Sequence, residues 1–103
     1  MAAKLSWSRR AREALLDIYL TIGVHNQTAA ERIYDRIEQH AEKLRDHPRM
    51  GPRRSDIRSA ARVLVEPPYI ILYEIVPDTD DGPIDIIEIV TVLDGRRDLS
   101  LGI

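Results

Sequence analysis

Two runs of β-branched and aromatic residues, separated by a polar break, constrain the fold more than any other part of the sequence. The runs cover residues 69–76 and 84–93, and such residue types are enriched in strands. The break, residues 77–83, contains two prolines, one glycine and three aspartates, which are typical of turns. We therefore predict a long antiparallel hairpin that the preceding part of the chain covers.

The first predicted helix carries more apolar surface than one contact can bury. It begins after the candidate N-cap Ser8 and runs to about Ile22, where Gly23 is placed to end it. One apolar stripe follows the helical repeat. A second apolar flank lies beside that stripe and consists of Leu16, Tyr19 and Leu20. Either the fold covers this helix on two sides, or the flank awaits a partner.

A second helix and further strands complete the prediction. A capping-box motif that begins at Thr28 starts the helix. The helix should end near His47, because Pro48 disfavours helix at the residue before it. It carries one narrow apolar stripe and forms an antiparallel hairpin with the first helix. Residues 61–65 have the pattern of a strand, and residues 4–7 that of a possible short N-terminal strand.

These elements indicate a single α+β domain over residues 1–103. The helical hairpin should pack on one face of a small antiparallel sheet with three main strands. Within the strands, Ile70 and Leu72 point to one face, and Ile71 and Tyr73 to the other. We therefore expect some apolar sheet surface to remain open, which is the usual mark of a binding site.

The composition excludes several classes of site. The chain has no cysteine, which excludes disulfides, thiolate catalysis and zinc–thiolate binding. His25, His40 and His47 do not have the spacing of a metal site. Because no phosphate-binding glycine loop, long apolar run or signal-peptide core occurs, we expect no cofactor, no metal, no membrane span and a cytoplasmic location.

Cations are the most distinctive part of the composition. Thirteen of the fifteen are arginine, which suits bidentate contacts to carboxylate or phosphate. An acidic protein or a nucleic acid would fit them, and an ordinary solvated surface is the alternative.

At the end of the last strand, Arg96 and Arg97 can clamp an anion with Asp98 orienting one of them. The alternative is a strand-ending turn in which an arginine pairs with a nearby acid.

Several weak motifs recur in a fixed order along nearly the whole chain. They are Ser8-x-x-Ala11, Ala30 with Ile33 and Ile37, His47-Pro48-x-x-Gly51, Tyr69-x-Ile71-x-Tyr73 and Gly95-Arg96-Arg97-Asp98. With the element order, this set resembles the ParE branch of the ParE/RelE toxin superfamily. The resemblance implies a toxin of a type II toxin-antitoxin system. A ParD-like antitoxin would neutralise it in a hetero-oligomer by wrapping its helices and sheet.

The two branches of that superfamily imply different activities. RelE-like toxins cut mRNA on the ribosome, whereas ParE-like toxins poison DNA gyrase without a hydrolytic site. When the strands are aligned with the RelE-like pattern, Arg62 and Arg97 occupy two of its cation positions. Ile70 occupies the remaining arginine position, and Ile103 lies at or near the position of the terminal tyrosine. An isoleucine can neither transfer a proton nor stabilise a pentacoordinate phosphate. The resemblance therefore implies a gyrase poison that acts by binding and has no catalytic residues.

The resemblance also assigns residues to two surfaces. The target contact would use Arg96, Arg97 and Asp98, with Arg58 and Arg62 as supporting cations. The antitoxin would contact Leu16, Tyr19, Leu20, Arg9 and Arg12. Two alternatives remain open. One is an mRNA interferase with His47 or Tyr73 as replacement acid or base near Arg62 and Arg97, and the other is a non-toxic interaction module of the same fold.

Overall fold

The computed structural model describes residues 3–97, which form two helices on one face of a four-stranded sheet. In chain order the elements are β1 (Lys4–Trp7), α1 (Arg9–Gly23), α2 (Gln27–Glu42), β2 (Arg62–Glu66), β3 (Tyr69–Val76) and β4 (Ile86–Asp94). The predicted α+β class and helical hairpin are confirmed. The two β-branched runs form β3 and β4, which pair as the predicted antiparallel hairpin.

The sheet is mixed rather than wholly antiparallel. Its strand order is β1-β4-β3-β2, and β1 runs parallel to β4, with Lys4 opposite Ile86 and Trp7 opposite Ile89. No turn joins these two strands, because the rest of the chain lies between them. Local sequence signals such as turn residues therefore could not set the direction of β1.

The helix boundaries show which predicted caps form. Ser8 caps α1 as predicted, since its Oγ accepts a hydrogen bond from Ala11 N at 3.0 Å. The predicted start of α2 was wrong by two residues, because Asn26 is the cap and its Oδ1 accepts from Ala29 N at 3.0 Å. Asparagine is a stronger N-cap than threonine, so Thr28 lies inside the first turn. No helix within residues 3–97 is long and apolar enough to cross a bilayer.

The sheet is covered on both faces. The helices bury one face around side chains such as Leu15, Ile37 and Tyr73. On the outer face, the loop of residues 48–61 places Ala61 over Leu72, which is fully buried. The expectation of an open apolar sheet surface was therefore wrong for the centre of the sheet, because a loop without a helix or strand signal covers it.

Candidate functional site

The turn after β4 is fixed to the end of the sheet by backbone hydrogen bonds. Gly95 N donates to Pro68 O at 2.7 Å, and Arg97 N donates to Asp94 O at 3.1 Å. A Cβ atom on Gly95 would lie 2.9 Å from Pro68 O, so a larger residue would force the turn away from β3. We call residues 94–97 the tip.

Asp94 orients one of the two arginines of the tip. Nε and Nη2 of Arg96 donate to the two oxygens of the Asp94 carboxylate, at 2.9 and 2.8 Å. These bonds from the guanidinium are the main reason why the pKa of Asp94 falls to about 2. The Arg96 side chain nevertheless remains 69% exposed, and Arg97 is exposed beside it. Asp98, the third predicted residue of this contact, lies outside the described residues.

A groove runs from the tip towards α1. It has a volume of about 400 Å³. It is lined by Ala14 and Ile18 of α1, by Tyr69 and Val92 of the sheet, and by the two arginines of the tip. The lining also includes Asp17 and Asp94, so the groove combines apolar contact area with side chains of both charges.

The structure gives Arg62 a structural position away from the tip. The side chain is 6% exposed, and its Nη1 donates to Gly51 O at 2.9 Å. Beside it, the Tyr73 hydroxyl donates to Pro48 O at 2.9 Å and accepts from Gly51 N at 2.9 Å. Burial raises the pKa of this hydroxyl. Both side chains thus hold the loop of residues 48–61.

Arg58 is also remote from the tip. It forms an ion pair with Glu74 on β3 at 3.1 Å, whereas the tip lies beside Tyr69 at the start of that strand. Five residues of extended chain separate the two positions, or about 17 Å. Of the predicted target-binding residues that the structure describes, only Arg96 and Arg97 lie together at an exposed site.

Other arginines of the loop have intramolecular partners. Arg53 pairs with Asp78 at 2.8 Å and with Asp80 at 3.2 Å. Arg49 Nε donates to Thr79 O at 2.8 Å. The cationic loop is thus bonded to the acidic turn between β3 and β4. Two of the thirteen arginines, Arg49 and Arg53, thus serve this internal contact.

The outer face of α1 carries an unpaired apolar ridge. Leu16, Leu20 and Val24 are 51%, 53% and 80% exposed, and their four-residue spacing places them in one row. We call these three residues the α1 ridge. Tyr19 lies beside it and packs edge-on against Tyr34, with ring centroids 5.7 Å apart. Val24 was missed from the sequence because it follows Gly23, although its spacing from Leu20 was visible.

The two predicted antitoxin-binding arginines lie near the start of α1. Arg9 forms an exposed ion pair with Glu13 at 3.1 Å. Arg12 lines a groove of about 300 Å³ together with Trp7 of β1 and Glu38 of α2. Both arginines precede the α1 ridge on the same helix, so a long segment bound along α1 can reach all of these residues.

Of the residues proposed for RNA cleavage, Tyr73 lies beside Arg62, but Arg97 lies apart from both. Tyr73 lies four residues along β3 from Tyr69, so about 13 Å of extended strand separates it from the tip with Arg97. His47 is exposed in the chain just before Pro48. Within residues 3–97 no group of histidine and carboxylate side chains is arranged to hold a metal ion.

Comparisons with protein families and with solved structures give a fold that agrees with the one described above. A protein-family model for the ParE toxin of the type II toxin-antitoxin system parDE matches residues 5–99. Among solved structures, a chain from a chromosomal ParDE toxin-antitoxin system of P. aeruginosa is 21% identical, with a TM-score of 0.70. The match covers 88% of this chain and 94% of that chain. No curated protein matches the sequence significantly.

Proposed function

The chain belongs to the ParE toxin family of type II toxin-antitoxin systems, and from this membership we propose that it arrests growth by binding DNA gyrase in the cytoplasm. In this proposal the toxin traps gyrase on cleaved DNA and performs no chemistry of its own. The tip, together with Asp98, contacts the target. A ParD-like antitoxin neutralises the toxin in a hetero-oligomer.

The observation that supports the proposal most directly is that the fold already holds the Arg96 side chain of the tip in one orientation. Asp94 holds Arg96 through both carboxylate oxygens, and the backbone of the turn is bonded to Pro68. An arginine already held in one orientation loses little conformational freedom on binding, which favours affinity. No carboxylate of residues 3–97 forms an ion pair with Arg97. Its charge is therefore available for a carboxylate or phosphate of the target.

Binding is favoured over RNA cleavage by the positions of the alternative catalytic groups. Arg62 is buried and donates to the loop backbone. The Tyr73 hydroxyl is engaged by two backbone groups of the same loop. A group that transfers a proton in catalysis must reach the substrate within hydrogen-bond distance. Neither side chain offers that reach without opening the loop.

The α1 ridge supports the antitoxin part of the proposal. Three large apolar side chains in one row on an exposed helix face are the pattern that an amphipathic segment of another protein covers. Arg9 and Arg12 add guanidinium groups next to this surface, where Arg9 pairs with Glu13 and Glu38 lines the groove beside Arg12. An antitoxin segment that is apolar on one side and acidic at one end fits both features.

One experiment tests the target directly. Purified toxin without antitoxin is added to DNA gyrase with supercoiled plasmid and, in parallel, to a translation extract with labelled mRNA. We expect cleaved plasmid to accumulate while the mRNA stays intact, and added antitoxin to prevent the cleavage. Cut mRNA with normal gyrase activity would establish an interferase instead. No effect in either assay would identify a non-toxic module and overturn the proposal.

A further inference from the structure

The strand β1 lies at one end of the sheet and has a neighbour on one side only. Because the strand order is β1-β4-β3-β2, β4 pairs with one edge of β1 and the other edge faces away from the sheet. Within residues 3–97 no strand lies on that second edge. A free strand edge carries backbone groups that can pair with a strand of another chain.

The hydrogen bonds of β1 show which residues point to the free edge. The backbone N–H groups of Lys4 and Ser8 both donate to carbonyl groups within residues 85–89, at 3.0 Å. Backbone groups of alternate residues point to opposite edges of a strand, so those of Leu5 and Trp7 point away from β4. We call Leu5 and Trp7 the β1 edge. Each of them offers one N–H donor and one C=O acceptor there.

The groove of about 300 Å³ that Arg12 lines also borders the β1 edge, because both residues of that edge line it. Glu42 and Arg45 line the groove too, but they form an ion pair with each other. Arg12 and Glu38 are exposed in the same groove, and neither forms an ion pair with any other residue of 3–97. One cation and one anion of the groove are therefore available to a partner.

A second copy of the chain offers what this surface requires. Two β1 strands related by a two-fold axis run antiparallel, so that Leu5 of one copy lies opposite Trp7 of the other. The same axis presents the charges of one groove to the other in reverse order. Arg12 of each copy can therefore pair with Glu38 of the other. A surface with one free charge of each sign is self-complementary in this way.

We propose that two copies of the chain associate through the β1 edge and join their sheets into one continuous sheet. Backbone hydrogen bonds between the two β1 edges hold the strands together, and the pairs of Arg12 with Glu38 set their register. A four-residue strand and one groove make a contact below the roughly 800 Å² per partner of a standard interface. The dimer is therefore weak and dissociates on dilution.

Association through the β1 edge leaves the tip of each copy exposed. β1 pairs with β4 only from Ile86 to Ile89, whereas the tip begins at Asp94. Five extended residues, or about 17 Å, separate Ile89 from Asp94. The dimer therefore presents two tips, and its formation does not depend on what the tip binds.

Amide hydrogen exchange tests the backbone part of this contact on the full-length chain without antitoxin, with sedimentation velocity reporting the dimer. The amides of Leu5 and Trp7 should exchange rapidly at low concentration, and on the order of 10-fold more slowly where the dimer forms. Ser6 is the internal control, because its amide points to β4 and should change little. A chain that stays monomeric up to high micromolar concentration would overturn the proposal. So would a dimer in which Leu5 and Trp7 still exchange rapidly.

Arg12→Glu and Glu38→Arg test the ion pairs. Each variant alone brings like charges together across the two-fold axis and should be monomeric. An equimolar mixture should regain the dimer, because each variant then meets the opposite charge. Arg36→Glu, at an exposed arginine of α2 outside the groove, is the matched control and should associate like the wild type. No recovery in the mixture, or an equal loss in the control, would overturn the proposal.

Discussion

The hydroxyl oxygen of Tyr73 lies 2.9 Å from the backbone nitrogen of Gly51 and accepts its hydrogen bond. The same hydroxyl donates to Pro48 O, so one buried side chain satisfies two backbone groups of the loop. Arg62, opposite Tyr73 on β2, adds a bond to Gly51 O. The loop thus follows a path set by two side chains of the sheet.

Tyr73→Phe should destabilise the fold without altering its shape. Removal of the hydroxyl leaves the Gly51 N–H and the Pro48 C=O without their partner in a buried site. An unsatisfied buried polar group costs about 1–3 kcal/mol. Urea unfolding followed by circular dichroism measures the change. Tyr34→Phe, at a half-buried tyrosine, is the control, and an equal loss in both variants would contradict the structural role of the Tyr73 hydroxyl.

Gly51→Ala and Gly23→Ala should have opposite effects on stability. A Cβ atom at Gly51 would overlap Val63 O and lie 2.7 Å from the Tyr73 hydroxyl oxygen. We therefore expect a loss of about 1–3 kcal/mol from forced displacement of the loop. At Gly23 the added atom meets Ala30 Cβ at an ordinary 3.7 Å, and alanine favours helix by up to about 1 kcal/mol. The midpoint of thermal unfolding, measured for both variants and the wild type, checks these two effects. A Gly51→Ala protein as stable as the wild type would show that the loop lies elsewhere.

Much of the fold was predictable because its signals are local. Residue type and alternation located β3, whose bounds match the prediction, and a single hydroxyl located the start of α1. The direction of β1 was not predictable, since it depends on pairing with a strand at the other end of the chain. The same holds for the path of residues 48–61, where arginine and proline give no periodic signal.

The candidate site was predictable in part for the same reason. The sequence placed Arg96 and Arg97 at the end of a strand and also raised an internal acid partner, which the structure identifies as Asp94. The sequence could not distinguish these exposed arginines from Arg62, because the residue pattern around an arginine does not show whether its side chain faces solvent or the backbone of a loop. Burial of Arg62 arises only when residues 48–51 fold back onto β2.

Arg96→Ala with Arg97→Ala should abolish growth arrest while the protein stays folded. Both side chains are exposed at the tip, so their loss leaves the core intact. Each arginine can make a charge-assisted contact to the target, and loss of both should weaken target binding on the order of 100-fold or more. Growth after induced expression and gyrase binding in vitro measure the effect.

A matched control for the tip is Arg32→Ala with Arg36→Ala, which removes two exposed arginines from α2. This variant should remain fully toxic, because α2 lies away from the tip. Antitoxin affinity should stay unchanged in the tip variant. Full toxicity of the tip variant, or equal loss in both variants, would rule out the tip as the target contact.

Asp94→Asn should remove one acid-sensitive contribution to stability. The bond from Arg96 lowers the pKa of Asp94 from 3.8 to about 2, so the folded state favours the carboxylate. This contribution is fully present above pH 3.8 and is lost as the pH falls through about 2. The wild type and Asp94→Asn should therefore converge in stability over that interval. Carboxyl ¹³C titration of Asp94 checks the shift, and a midpoint near 3.8 would contradict the ion pair.

Leu16→Ser with Leu20→Ser should weaken antitoxin binding and leave folding nearly unchanged. Both side chains are about half exposed on the α1 ridge, so their remaining surface is available to a bound segment. Burying that surface should contribute about 1 kcal/mol per leucine, so the double variant should bind on the order of 30-fold more weakly. Calorimetric titration with the cognate antitoxin measures this. Val65→Ser is the control, because Val65 is 55% exposed but lies on the outer sheet face. Unchanged affinity in the double variant, or an equal loss at Val65, would place the antitoxin elsewhere.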